Sequence, residues 1–456
     1  MEGKRGSIDN TRDFTEGSVP RQLVSFATPL FLSSLLQIAY NMVDMIIVGQ
    51  KLGKVGLSAV SIGGDVSNFL TFVARGFSNA GQVLISQYLG SGQREKISRF
   101  IGTMATSLMI GGVIVSSICL MLREPILSLM NTPPEAFDEA MRYSTVCMTG
   151  MIFIYGYNTV SAILRGLGDS MRPFIFIGIA TVVNIVLDVV FVLFMDLGSG
   201  GAALATVVSQ GLSFIASCVY IHRHKNNYGL TLKRSELIGV DRDMLSKLVG
   251  LGLPMAIKFA SIHFSKLLVN SFINSYGIAV SAFSGIAHKI STFVNTLSNS
   301  FNTAGSTMVG QNIGAGKYDR VGKVMKTLFA ITTSICTLMA LLIVFFPRQV
   351  FGIFTHEADV IEIGVAYVPI AVLMFYGSAA RSGMNALING SGNTKVNFAT
   401  AILDGIVLRI GLALLFGLTL GMKAYGFWLG DALAGFTPLW IGIIFYASGK
   451  WKRKQV

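Results

Sequence analysis

"FSNAGQVLISQYLGSGQREK" (residues 77–96) lies over "FNTAGSTMVGQNIGAGKYDR" (301–320), and the overlap decides the fold. Phe77, Ala80, Gly81, Gln87, Gly90 and Gly92 each meet the same residue 224 positions later. "RGLGDSMRPF" (165–174) lies over "NGSGNTKVNF" (389–398) at the same offset, and Pro29 meets Pro254 at 225. Three separated matches at nearly one offset identify a duplication.

The unit that is duplicated is a set of membrane helices. The chain has 456 residues, 52% hydrophobic and 13% charged, against roughly 25% charged in soluble proteins. Apolar runs long enough to cross about 30 Å of hydrocarbon recur throughout. They fall at 23–50, 57–88, 97–122, 138–164, 173–195, 199–221, 245–273, 279–311, 319–346, 360–388, 396–418 and 424–447, which predicts an all-α polytopic membrane protein of about twelve spans. Each repeat then holds six, and an even number makes the repeats parallel, related by a pseudo-two-fold axis along the membrane normal. The expected organisation is a polar tail (1–22), a six-helix lobe (23–221), a linker (222–244), a second lobe (245–447) and a basic tail (448–456).

Charge placement sets the expected orientation. With the N-terminus inside, 24 of the 36 Lys and Arg lie at cytoplasmic ends and loops, and six outside. That asymmetry puts both termini in the cytoplasm of a chain in the cell membrane. The net charge of +13 is therefore membrane-flanking and predicts no nucleic-acid partner. The first 22 residues lack an apolar core before a cleavage site, so no signal peptide is expected. Cys119, Cys147, Cys218 and Cys336 are scattered singly without metal or disulfide spacing. The glycine corners follow no strand and lack Gly-Lys-Ser/Thr, so they read as helix caps, not phosphate loops.

Within this apolar frame three polar side chains share one depth. Asp44 lies seven residues before Lys51, where the first span ends, Asp188 seven before the fifth span's last residue, and Thr206 seven after the sixth's start. At 1.5 Å per residue each sits roughly 10 Å inside the outer end. Asn184 shares Asp188's face one turn deeper, and Gln37, Tyr40, Asn41 and Asp44 form an i, i+3, i+4, i+7 polar stripe. The second repeat replaces Asp44, Asn184 and Asp188 with Val269, Leu408 and Leu412, while Thr206 corresponds to Asp431. Two close carboxylates in low dielectric bind a proton or share a cation, and ligands of oxygen alone suit H⁺ or Na⁺ and no soft metal. No cofactor, and no metal beyond Na⁺, is expected. The competing reading pairs each aspartate with an intramembrane cation, Arg75 being the candidate.

The second lobe carries Lys258, Lys266, Lys289, Arg381 and Arg409 with Asp404 and Asp431. One reading pairs them internally, with snorkelling near span ends. The other makes Lys258, Lys266 and Arg381 a basic patch facing a cavity. His263 and His288 are isolated, and the twenty methionines suit an adaptable apolar wall.

"LLQIAYNMVDMIIVG" with Pro29, "VLISQYLGSGQREK", "AILRGLGDSMRP", "NIVLD" and "GAALATVVSQ" together resemble the multidrug and toxic compound extrusion (MATE) family, over about residues 20–447. The resemblance implies a V-shaped fold of two six-helix lobes. It also implies antiport, in which amphipathic, often cationic small molecules leave in exchange for H⁺ or Na⁺. Asp44, Asn184, Asp188 and Thr206 match the cation site of DinF-like members, and Pro29 matches a first-helix proline linked there to bending. The acids that NorM-like members carry on the seventh and tenth helices are missing, where this chain has Lys258, Lys266 and Arg381. The expected protein is a monomer in the lipid bilayer, and not an enzyme. The alternatives are a flippase for lipid-linked oligosaccharide or peptidoglycan precursors, and a membrane-embedded enzyme, for which no catalytic cluster is visible.

Overall fold

The computed structural model describes residues 11–232 and 239–453. Most of the expected N-terminal tail (1–10), the middle of the linker (233–238) and the end of the basic tail (454–456) lie outside the described residues.

The described chain is almost wholly helical. Nine of its helices are long and apolar enough to cross a membrane, and a bent pair makes ten. One of the nine, Val19–Gly90, runs 72 residues and is interrupted only at Gly53 (φ 60°, ψ −145°). A loop expected at 51–56 is thus one residue, at backbone angles only glycine adopts without strain. It divides the stretch into α1 (19–52) and α2 (54–90). The remainder are α3 (Arg94–Met121), α4 (134–166), α5 (Met171–Phe194), α6 (Gly198–His224), α7 (Arg242–Asn274), α8 (Ile278–Gly314), α9 (Tyr318–Phe345), α10 (Ala358–Gly390), α11 (Thr394–Thr419) and α12 (Lys423–Ala447). α8 has the length of a span but too many polar residues to pass on composition, and it completes the twelve. α4 bends by 47° between Thr149 and Met151.

The backbone carries the duplication as clearly as the side chains. Left-handed residues recur 224 apart at Gly53/Gly277, Gly92/Gly316 and Gly168/Gly392, and 225 apart at Asp196/Gly421 and Gly198/Lys423. The C-terminal ends of α5 and α11 both open into π turns, Val189–Phe194 and Leu415–Thr419.

The chain forms two compact units. Among the described residues, one holds 11–13 and Thr28–Gly252, the other Phe14–Ala27 and 253–453.

In the first unit, small residues let helices approach closely, the packing mode that works where lipid offers no hydrophobic contrast. Gly150 of α4 faces Val207, and Gly156 faces Phe214 of α6. The Ser116 hydroxyl donates to the Met148 carbonyl at 2.6 Å, and Ser213 to Phe176 at 2.7 Å. Between α2, α3 and α4 lies a core of Val66, Leu70, Ala74, Cys119, Met148 and Tyr155, with the Tyr155 hydroxyl donating to Leu70 at 3.1 Å. The described linker ends belong to this unit too: Thr231 donates its amide to Ser98, and Asp241 pairs with Arg99 at 2.8 Å.

The second unit centres on aromatic rings. Phe283 meets Phe351, Tyr367 and Trp428 edge-on, with centroids 5.2–5.4 Å apart, a preferred geometry for ring quadrupoles. Gly430 of α12 lies on the backbone of Leu412 and Ala413, leaving no room for a side chain.

Candidate functional site

α5 exposes Ile175, Ile179, Val182 and Val186 along one face. Asn184 and Asp188 therefore turn into the first unit, at 2% and 0% exposure, where Asp44 of α1 is 3% exposed. Thr206 of α6 joins them. Its hydroxyl donates to Asp44 Oδ2 at 3.4 Å and receives the Asn184 amide at 3.4 Å. The Asp44 and Asp188 carboxyl groups approach within hydrogen-bonding reach of each other. The four residues placed by depth are thus brought together.

The cluster holds more acceptors than donors. Asp44 Oδ1, Asn184 Oδ1 and both Asp188 oxygens are buried without a hydrogen-bond partner. Among the described residues no ion pair reaches either acid, and Arg75, the candidate partner, is exposed. Buried polar atoms are ordinarily satisfied, and four orphans at one place call for an explanation. A proton between the two carboxyl groups, or one monovalent cation among the oxygens, supplies it. No cluster of three His, Cys, Asp or Glu that could hold a metal ion occurs among the described residues.

A buried apolar layer borders the cluster. Ile47, Val48, Val192, Ala202 and Ala203 form it, one turn beyond the cluster on α1, α5 and α6, joined by Tyr143 and Cys147 of α4. The π turn of α5 begins at the residue after Asp188. Such turns insert an extra residue and frequently mark functional sites.

The flanking polar residues divide. Tyr40 lies near Asp44 and Arg75 with its hydroxyl toward Gln210. Gln37 is half-buried, and Asn41 is exposed. A four-residue stripe spans about 100° of helix surface, and α1 turns the Asn41 edge outward. Tyr143, beside both Asp44 and Tyr40, was not legible as a neighbour, because its own helix gives no polar stripe. Pro29 sits inside α1, and Ser33 donates to its carbonyl at 2.7 Å.

In the second unit the counterparts of Asp44, Asn184 and Asp188 are apolar, with Val269 in the aromatic core, and the counterpart of Thr206 is Asp431. Charge gathers instead around Arg409. This side chain is 1% exposed, bonds Asp404 at 2.9 Å and pairs with Asp431. Arg381 stands 3.5 Å from the same Asp404 oxygen, and Lys258 donates to Asn385 Oδ1 at 2.6 Å. Lys266 lies near Asp431 and Arg409 without reaching ion-pair distance. Internal pairing therefore accounts for the two arginines and leaves the lysines over. Ser378, Ser382 and Asn385 flank Arg381 at i−3, i+1 and i+4, an overlooked polar stripe on α10 of the kind recognised on α1.

Comparison with known proteins gives one consistent answer. The MatE family model matches residues 29–190 and 254–434. A probable multidrug resistance protein of Bacillus subtilis (strain 168), YpnP, is 28% identical over 449 residues, covering 97% of this chain and 98% of its own. The multidrug export protein MepA of Staphylococcus aureus (strain MSSA476) is 22% identical, covering 89% and 90%. Among solved structures, a MOP superfamily transporter from Pyrococcus furiosus, described as having a binding pocket of reverse polarity, superposes with a TM-score of 0.89 at 20% identity, covering 99% and 100%. A MATE structure in the bent conformation gives 0.87 at 21%, covering 96% of each.

Proposed function

The chain belongs to the MatE family of transporters, not enzymes, and from that premise we propose a cation-coupled antiporter that exports amphipathic compounds across the cytoplasmic membrane. H⁺ or Na⁺ exchanges at the cluster of Asp44, Asn184, Asp188 and Thr206. The observation that supports this reading is the set of four unpartnered buried oxygens, with no ion pair to either acid among the described residues. Loading by the ion satisfies those oxygens and tightens α1 against α5 and α6, and release loosens them. An ion drives transport only to the extent that it binds two conformations differently. The position of Asp44 on α1, past the hydrogen bond that Pro29 removes, supports coupling through that helix. The missing second-lobe acids support membership of the DinF-like branch. Both termini face the cytoplasm, by the charge asymmetry of the loops.

The test is flux in liposomes with a proton or a sodium gradient imposed separately. We expect Asp44→Asn and Asp188→Asn to lower gradient-driven export about tenfold or more, with unchanged melting of the purified protein. Export at wild-type rate from both variants would overturn the assignment. A flippase would ask the basic residues of the second unit to grip a pyrophosphate. The cavity they line is about 20 Å³, which favours a smaller head group.

A further inference from the structure

The second unit contains a charge imbalance that the ion cluster does not explain. Lys258, Lys266, Arg381 and Arg409 lie among one another with only Asp404 and Asp431 to answer them. The two arginines take up both carboxylates. Lys258 is held by a neutral amide. Two positive charges remain over in the membrane interior, where unpaired charge is costly.

The unsatisfied groups converge. Lys266, half-buried, makes no hydrogen bond or ion pair among the described residues, and the Arg381 Nε is buried with no partner. Both side chains line one small cavity of about 20 Å³ with Ser291, Asn295 and Ser378. That volume exceeds what one water needs and is far below that of a whole drug-sized ligand. It admits a small polar group and not a whole amphiphile. The polar wall is itself ordered: Asn295 donates to Ser291 at 3.0 Å, and Ser378 to Asn295 at 3.1 Å. Donors outnumber acceptors here, the reverse of the first unit.

We propose that this cavity binds the anionic head, a carboxylate, of the exported amphiphile between Lys266 and Arg381, so that the substrates are amphipathic monoanions. Charge-assisted hydrogen bonds from an ammonium and a guanidinium are the strong kind, and one carboxylate removes half the excess charge. Arg409 and Asp431 form the back wall of the cavity, with Asp404 bonded to Arg409 behind it, and the three remain paired throughout. This rests on the export reading above, but binding needs no ion gradient, so the two fail separately.

The test uses full-length protein in nanodiscs of phosphatidylcholine, with fluorescence titration of 11-(dansylamino)undecanoate and its methyl ester, corrected by empty nanodiscs. Wild-type protein should bind the acid about tenfold more tightly than the ester. Lys266→Gln and Arg381→Gln should each bring the acid toward the ester and leave the ester unchanged, while Lys266→Arg keeps the preference. Equal binding of acid and ester by wild type, or a preference that survives both glutamine variants, would overturn the proposal. So would loss of the preference on adding phosphatidylglycerol, which would give the cavity to a lipid headgroup. Melting of each variant near the wild-type temperature shows that the readout is binding and not folding.

Discussion

Arg409 is among the largest buried side chains of the described residues. A guanidinium suits that place because its flat fork reaches two carboxylates at once, which an ammonium on a flexible stem does not. Removing it strands Asp404 and Asp431 together. We expect Arg409→Leu to cost about 3–5 kcal/mol and Arg409→Lys to recover little of it, read as thermal melting in detergent. Adding Asp404→Asn and Asp431→Asn to Arg409→Leu should restore much of the loss. Much at this scale was legible. A carboxylate in a lipid-length run is conspicuous, and equal counts from helix ends put Asp44, Asp188 and Thr206 at one depth. The fate of each cation was not, since whether Lys266 meets a partner depends on how α7, α10 and α11 are rotated.

At the level of elements, the ends of helices decide more than their middles. Asp241 begins α7: its carboxylate accepts the amides of Asp243 at 2.9 Å and Met244 at 3.1 Å and pairs with Arg99 of α3. The Met244 amide first, then the Arg99 charge, hold this carboxyl below the usual aspartate range. A lowered folded value means that the contribution is fully present above the ordinary aspartate pKa, about 3.9, and is lost as pH falls through the folded value. We expect Asp241→Ala to melt below wild type at pH 7, with the gap closing as the pH is taken under about 4. A gap that persisted unchanged in acid would rule out the charge as its source. The spans themselves were readable from length and composition. Their interruptions were less so. Gly53 looked like the middle of a loop, and α4 bends at Gly150, where Val207 of another helix leaves no room for a side chain.

Across the whole molecule, the chain changes unit beside two prolines. Residues 14–27 pack in the second unit, and the first resumes at Thr28, one residue before Pro29. α7 belongs to the first unit through Gly252, and Pro254 follows two residues later. Matching of the family model starts at those same two positions. A proline removes one helical hydrogen bond and crowds the preceding turn, so each first helix of a repeat is weakest where it passes between units. Phe14 fixes the start of this path, buried against Phe26 at 5.0 Å with its amide on Gln311 at 2.9 Å. We expect Pro254→Ala to stiffen α7, raising the melting temperature and lowering the transport rate several-fold. A faster or unchanged rate in liposomes would mean that α7 does not flex at this point.

The sequence alone determined the helical, membrane-spanning class, the duplication and the places of the acids along their helices. A bilayer of fixed thickness turns length and composition into position, and a copied sequence keeps its offsets. Only the tertiary structure decided that Asn41 faces outward, that Arg75 leaves the acids unpaired, and that Lys266 stands over an unsatisfied cavity. It also decided that each repeat's first helix begins in the other repeat's unit. Those outcomes depend on the rotation and crossing of helices far apart in the chain, which contacts fix and local patterns do not encode.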